Sequence, residues 1–95
     1  MALPKFLQSS LASYDLSRLE PKIDKDIIIT EVLNKGDEDA LAWLTKNYTK
    51  KEVKEVVENP VRGMWLKNTL GYWLKIFGIN GSDKKFEKAV LNVNV

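Results

Sequence analysis

The 95-residue sequence contains neither histidine nor cysteine. Without histidine there is no imidazole base that titrates near neutral pH, and no Ser–His–Asp triad. Without cysteine there is no thiol nucleophile, thiolate zinc site, iron–sulfur ligand or disulfide bond. The five glycines form neither a dinucleotide-binding fingerprint nor a phosphate-binding loop. These absences predict a protein that is not an enzyme and that uses no cofactor or metal ion.

The sequence also lacks long apolar runs, since its longest is five residues, far short of the roughly 20 that cross a bilayer. The first residues, Met1 to Phe6, include a proline and a lysine where a signal peptide needs an unbroken apolar stretch. We therefore expect a cytoplasmic protein without a membrane partner. The fractions of 44% hydrophobic and 29% charged residues are ordinary for a globular domain, so residues 1–95 are interpreted as one domain.

Apolar spacing and capping residues predict an all-α fold with about four main helices in a compact array. Their expected bounds are about 23–34, 38–47, 50–58 and 63–77. Asp37 is a good N-cap residue, and Thr49 with Glu52 has the spacing of a capping box. The 63–77 helix has the widest apolar arc, which predicts a position at the centre of the core. Gly71 inside it suggests close packing or a bound partner there, because glycine weakens a helix.

Outside residues 22–79, the predicted helical core, the pattern is less regular. Residues 1–21 are expected to form an irregular arm, with a short helix at about 5–12. Residues 80–95 are expected to form a tail that begins with a short helix. The tail ends in an alternation of valine, leucine and asparagine from residue 90 to 95, which could add a β-strand to another chain or simply fray.

Charge is divided unevenly along the chain. Residues 1–45 carry five basic and eight acidic side chains, whereas residues 46–95 carry ten basic and five acidic ones. Such asymmetry is typical of a protein with an anionic partner, although the two halves could also attract each other. The helices at 38–47 and 50–58 resemble a helix-turn-helix in outline, which would place Lys50, Lys51 and Lys54 near DNA. Three glutamates on the same short helix argue against phosphate contact and favour a solvated surface helix.

Several aromatic residues lie beside the main apolar stripes and suggest a protein interface. Trp43 lies off the stripe of its helix, and Trp65 and Tyr72 widen the arc of the 63–77 helix. Aromatic side chains are enriched at interface hot spots, although core packing explains Trp43 and Trp65 equally well. Arg62 and Lys67 are the expected rim of such an interface.

The order of several short motifs resembles a family of small uncharacterised prokaryotic proteins. The motifs lie between residues 14 and 79: Tyr14-Asp15-Leu16, Lys25-Asp26-Ile27-Ile28, Gly36-Asp37, Trp43-Leu44 and Tyr72-Trp73. Leu66 and Gly71 depart from the pattern, which has a capping residue and an asparagine-like residue there. The resemblance implies no activity, but it implies a partner, since members are associated with genes for nucleotidyltransferase-like toxins.

The sequence therefore predicts a non-enzymatic protein-interaction module, antitoxin-like or regulatory, whose partner is another protein. A helix-turn-helix DNA-binding regulator is the alternative. The sequence leaves open whether the protein forms a homo-oligomer.

Overall fold

The computed structural model describes residues 3–91 and confirms the all-α fold. Two short 3₁₀ turns, Lys5–Ser9 and Leu16–Arg18, precede five α-helices. The helices are α1 (Lys25–Lys35), α2 (Glu38–Asn47), α3 (Lys50–Glu58), α4 (Lys67–Ile76) and α5 (Lys84–Ala89). The first four match the four predicted main helices, and α3 has the bounds that the sequence predicted.

Helix α1 lies at the centre of the fold. It contacts α2, α3 and α4, and its residues from Ile28 to Leu33 are all buried. The run includes Thr30, whose hydroxyl donates to the Asp26 carbonyl at 2.6 Å, and Glu31, whose carboxylate pairs with Lys35 at 3.2 Å. A helix packed on several sides needs apolar residues around most of its circumference, which the Ile27-Ile28-Ile29 run supplies.

The expectation that the 63–77 helix is central is therefore wrong. The helix begins only at Lys67, and Leu70 is its buried residue. Leu66 is the N-cap residue, without a side-chain cap bond, and is 42% exposed. Gly71 faces open space, so close packing does not explain it. The wide apolar arc of this helix faces a groove and solvent as well as the core.

Local sequence signals set most helix ends. The Asp37 carboxylate accepts from the Ala40 amide at 2.9 Å, and Thr49 and Glu52 form the predicted capping box. Helix α4 ends in a Schellman motif, in which Gly78 has φ +64° and the Ile79 amide donates to the Leu74 carbonyl at 2.9 Å.

The chain segment before α4 is held from two sides. On one side, the amides of Gly63 and Trp65 donate to the carbonyls of Lys88 and Ala89 at 3.0 and 2.9 Å, and the Leu91 amide donates to the Trp65 carbonyl at 2.7 Å. On the other side, the Asn34 side chain donates to the Met64 carbonyl at 2.9 Å and accepts from the Leu66 amide at 3.2 Å. These bonds place the Trp65 side chain in the core, where it is 0% exposed.

Both terminal segments contribute to the core. Leu3, Leu7 and Leu11 of the N-terminal arm are buried, although a 3₁₀ turn replaces the short helix expected at 5–12. Phe86 and Ala89 of α5 are buried as well. The core thus extends beyond residues 22–79. Val90 forms a parallel β-bridge with Trp65 of the same chain, and the rest of the alternating end, 92–95, lies outside the described residues.

Candidate protein-interaction groove

An apolar groove of about 410 Å³ opens between α2, the start of α3 and the end of α4. Seven of its nine lining residues are aliphatic or aromatic. The lining residues are Leu33, Leu41, Leu44, Thr45, Tyr48, Lys50, Val53, Trp73 and Phe77. Its size lies within the range of roughly 300–1,000 Å³ that is typical of ligand pockets. We call this feature the apolar groove.

Two aromatic rings, Trp73 and Phe77, form the α4 wall of the apolar groove, and Tyr72 continues the aromatic series outside it. Tyr72 and Trp73 meet edge to face with 5.3 Å between ring centroids, and Trp73 stacks on Phe77 at 6.0 Å. The apolar surface continues onto the outer side of α4, where Tyr72 is 58% exposed and Ile76 is 54% exposed. These two residues, one helical turn apart, are called the α4 ledge. The groove and the ledge together form one continuous apolar surface at the end of α4.

The α3 side of the apolar groove is basic. Lys50 is the charged residue of the lining, and Lys54 lies one turn further along the same helix face. Within residues 3–91, no carboxylate oxygen lies within 4.0 Å of the ammonium group of either lysine. The groove therefore combines an apolar floor with a lysine at one edge whose ammonium group has no carboxylate oxygen within 4.0 Å in residues 3–91.

Tyr48 holds in place the part of the groove wall that lies at the junction of α2 and α3. Its hydroxyl donates to the Pro21 carbonyl at 2.7 Å, and its ring meets Trp43 edge to face at 5.9 Å between centroids. Burial raises the pKa of the Tyr48 phenol to about 12, and the nearby carboxylates of Glu52, Asp24 and Glu20 add to the rise. The phenol is therefore a neutral hydrogen-bond donor at physiological pH, tying the α2–α3 junction to the arm.

The structure separates the three aromatic residues predicted to form an interface. Tyr72 belongs to the α4 ledge and flanks the apolar groove. Trp43 is half-buried on another side of α2, beside a shallow depression that it shares with Phe6 and Lys46. Trp65 is completely buried, so it packs in the core and offers no contact surface. Of the three, only Tyr72 lies at the groove.

The two predicted rim residues lie elsewhere. Arg62 borders a depression with Glu87, Lys88 and Leu91 at the C-terminal segment. Lys67 is exposed in the first turn of α4, whereas the groove-lining residues belong to the end of that helix. Neither residue lines the apolar groove.

The three lysines proposed for DNA contact are all exposed, but they do not form one face. Lys50 lines the apolar groove, with Lys54 on the same side of α3. Lys51 lies about 100° further around the helix. Glu52, on the same helix, faces α1, because its carboxylate lies 3.8 Å from the Lys25 ammonium.

Sequence reasoning missed most of the apolar groove. Helical spacing predicts core positions for Trp73 and Phe77 and places Leu33 and Leu41 on the apolar stripes of their helices, without showing that they share a groove. One feature of the sequence indicated an exposed apolar surface. The apolar arc of the predicted 63–77 helix covers nearly half of the helix, which is wider than a peripheral helix needs for packing. The position of the groove follows from how three helices meet, which periodicity does not reveal.

Comparison with known proteins adds a partial match. Residues 13–57 match the model of a family of unknown function, DUF6922. A resemblance to an uncharacterised family is thus confirmed over this stretch, which covers α1, α2 and nearly all of α3. No curated protein and no solved structure matches the chain. The match includes the groove-lining residues of α1, α2 and α3 but not Trp73 and Phe77.

Two general features of the described residues bear on the kind of site. Of the helices within residues 3–91, none has both the length and the apolar character needed to cross a membrane. In the same part of the chain, acidic side chains do not gather in groups of three or more that could hold a metal ion. The apolar groove is therefore the feature on which we base a functional proposal.

Proposed function

We propose that this protein is a non-enzymatic protein-interaction module that binds another protein through the apolar groove and the α4 ledge. The observation that carries this proposal is the aromatic series Tyr72–Trp73–Phe77, in which Tyr72 is exposed and Trp73 and Phe77 line an apolar groove. Interface hot spots are rich in aromatic residues that fill such pockets. The role is that of a cytoplasmic regulatory or antitoxin-like partner. The family resemblance described above suggests a nucleotidyltransferase-like toxin as the class of partner.

Blocking the groove tests this function directly. Thr45 is exposed and lines the groove, and its hydroxyl bonds only locally, to the Ala42 carbonyl at 2.9 Å. Thr45→Trp should fill the groove without removing a buried side chain, whereas Thr45→Ala leaves it open. We expect affinity co-purification from lysate of the source organism, with nuclease, to retain a stoichiometric protein on wild type and Thr45→Ala but not on Thr45→Trp.

The ledge provides a second variant that does not depend on filling the groove. Tyr72→Ala should weaken partner binding by more than about 1 kcal/mol while leaving the melting temperature nearly unchanged. Ile23→Ala is the matched control, because Ile23 is an apolar side chain that is 83% exposed and does not line the groove. A partner retained equally by every variant would show that the interface lies elsewhere.

DNA binding is the second candidate, supported by the exposed lysines of α3. Lys50, Lys51 and Lys54 have no carboxylate within 4.0 Å among the described residues, so their charges are available to phosphate. Binding of duplex DNA should then weaken steeply with salt, and each lysine-to-alanine change should reduce the salt slope by about 1. Binding that is absent or insensitive to salt would rule this function out.

A further inference from the structure

The charges along the apolar groove indicate which kind of protein segment it accepts. Lys50 is the charged residue among its nine lining residues, and Lys54 continues the basic edge one turn away. Acidic side chains are absent from this lining. The half of the chain from residue 46 onward, which includes α3 and α4, also has an excess of five positive charges. A segment with carboxylates along one side would be attracted, and a basic segment would be repelled.

The volume of the groove indicates how much apolar surface it can take. A cavity of about 150 Å³ holds one benzene ring, so 410 Å³ accommodates about two to three large apolar side chains. Three anchors at i, i+3 or i+4 and i+7 are the usual pattern of an amphipathic helix that binds in a groove. An extended strand is a poorer fit, because α2, α3 and α4 present helix faces rather than an open sheet edge.

A second copy of this chain is a poor occupant. The most exposed apolar helix surface within residues 3–91 is the α4 ledge, yet α4 carries Lys67 and Lys75 and no acidic residue. Inserting the ledge of one copy into the groove of another would bring lysines toward Lys50. This charge repulsion favours a different protein as the occupant.

We infer that the apolar groove binds an acidic amphipathic helix of a partner protein, with three apolar anchors on the groove floor and a carboxylate at Lys50. This inference rests on the proposed interaction function and names the chemistry of its partner. The ammonium group of Lys50 pairs with the carboxylate at the edge of the groove, where partial burial strengthens the pair. Lys54 pairs with a second acidic residue of the partner helix, one turn further along that helix.

A peptide selection tests the inference without knowledge of the partner. Helical peptides of about 16 residues, long enough to be helical in isolation, are displayed with randomised anchor and flanking positions. They are selected on the full chain and counter-selected on Thr45→Trp. We expect enriched peptides to carry apolar residues at i, i+3 or i+4 and i+7, and an excess of aspartate and glutamate along one flank.

Charge reversal then locates the carboxylate. Lys50→Glu should weaken binding of an enriched peptide by about tenfold or more, and replacing the peptide's acidic residues by lysine should restore it. Lys51→Glu is the matched control: it makes the same charge change on the same helix, away from the groove, and should alter affinity by less than about threefold. Sedimentation of the chain alone should give a monomer.

Several results would overturn the inference. Enriched peptides without an acidic excess, equal effects of Lys50→Glu and Lys51→Glu, or self-association through the groove would each do so. If every enriched peptide still binds Thr45→Trp or Tyr72→Ala, an acidic helix is excluded as the occupant of the groove. The proposed function fails separately: no stoichiometric protein retained by the wild type would contradict interaction with a partner, and a protein retained equally by the wild type and all groove variants would place the interface elsewhere.

Discussion

At the scale of single residues, Asn34 connects the central helix to the segment that carries Trp65. Its side chain makes both a donor and an acceptor bond to backbone groups on either side of that tryptophan. On this side of the segment, the Asn34 side chain thus makes the backbone hydrogen bonds that a neighbouring strand would make. No other side chain in residues 3–91 bridges two backbone groups so distant in sequence from itself.

Asn34→Ala should therefore lower the free energy of unfolding by roughly 1–3 kcal/mol, because two hydrogen bonds are lost and the Met64 carbonyl is left without this partner. Urea denaturation followed by tryptophan fluorescence measures the change. Asn47→Ala is the control, since Asn47 is exposed and bonds only to the Trp43 carbonyl in its own helix. Equal effects of the two changes would contradict the bridging role.

Tyr48 predicts a dependence of stability on alkaline pH. The folded pKa of Tyr48 is raised to about 12, mainly by burial, above the usual value of 10.0. The neutral phenol therefore contributes stability that is complete below about pH 10 and is lost as the pH rises toward 12. Tyr48→Phe removes the bond to the Pro21 carbonyl and should cost about 1 kcal/mol near neutral pH.

The measurement is the free energy of unfolding of wild type and Tyr48→Phe from about pH 8 to pH 11. Their difference should shrink as the pH rises, because only the wild type loses the contribution of this phenol. Contributions from groups that both proteins share cancel in this difference. A constant difference across this range would show that the Tyr48 phenol is not protected in the folded state.

At the scale of elements, two glycines have opposite roles, one within α4 and one just after its end. Gly71 is an interior helical position that faces open space, whereas Gly78 ends the helix at φ +64°. Gly71→Ala should raise the free energy of unfolding by about 0.5–1 kcal/mol, because alanine favours the helix. Gly78→Ala should lower it by about 1 kcal/mol, because a Cβ atom strains the left-handed conformation.

Thermal melts of the two variants provide the measurement, and each serves as the control for the other. Stabilisation by Gly71→Ala would agree with the open space beside it. Destabilisation by Gly71→Ala would show that a contact requires glycine there, as the sequence alone had suggested. The α4 ledge adjoins Gly71, so the same variant should be assayed for partner binding.

At the scale of the whole molecule, the tail folds with the core. Phe86 is buried, and three backbone bonds join residues 88–91 to residues 63–65. Phe86→Ala should lower the free energy of unfolding by about 3–5 kcal/mol while preserving a single cooperative transition. Lys84→Ala, an exposed change on the same helix, should stay within about 0.5 kcal/mol.

Coincident transitions by far-ultraviolet circular dichroism and by tryptophan fluorescence check this prediction. Both probes should move together in Phe86→Ala, because Trp65 is part of the segment that pairs with the tail. A separate early transition, with fluorescence unchanged, would mean that α5 is an independent appendage rather than part of the core.

The sequence by itself determined the features that depend on neighbouring residues. The N-cap at Asp37, the Thr49–Glu52 capping box and the helix end at Gly78 act within five residues of the chain. Their hydrogen bonds form wherever the segment is helical, so propensity and spacing predict them. The helical class and the bounds of α3 followed for the same reason.

Only the tertiary structure decided which helix is central and where the apolar groove opens. The wide arc of α4 was interpreted as core, but pairing between residues 63–65 and 88–91 takes Trp65 into the interior before the helix begins. That leaves Tyr72 and Ile76 exposed and places Trp73 and Phe77 opposite α2. These outcomes depend on contacts between residues far apart in the chain. Periodicity shows which residues are apolar, but it does not show which other part of the molecule covers them.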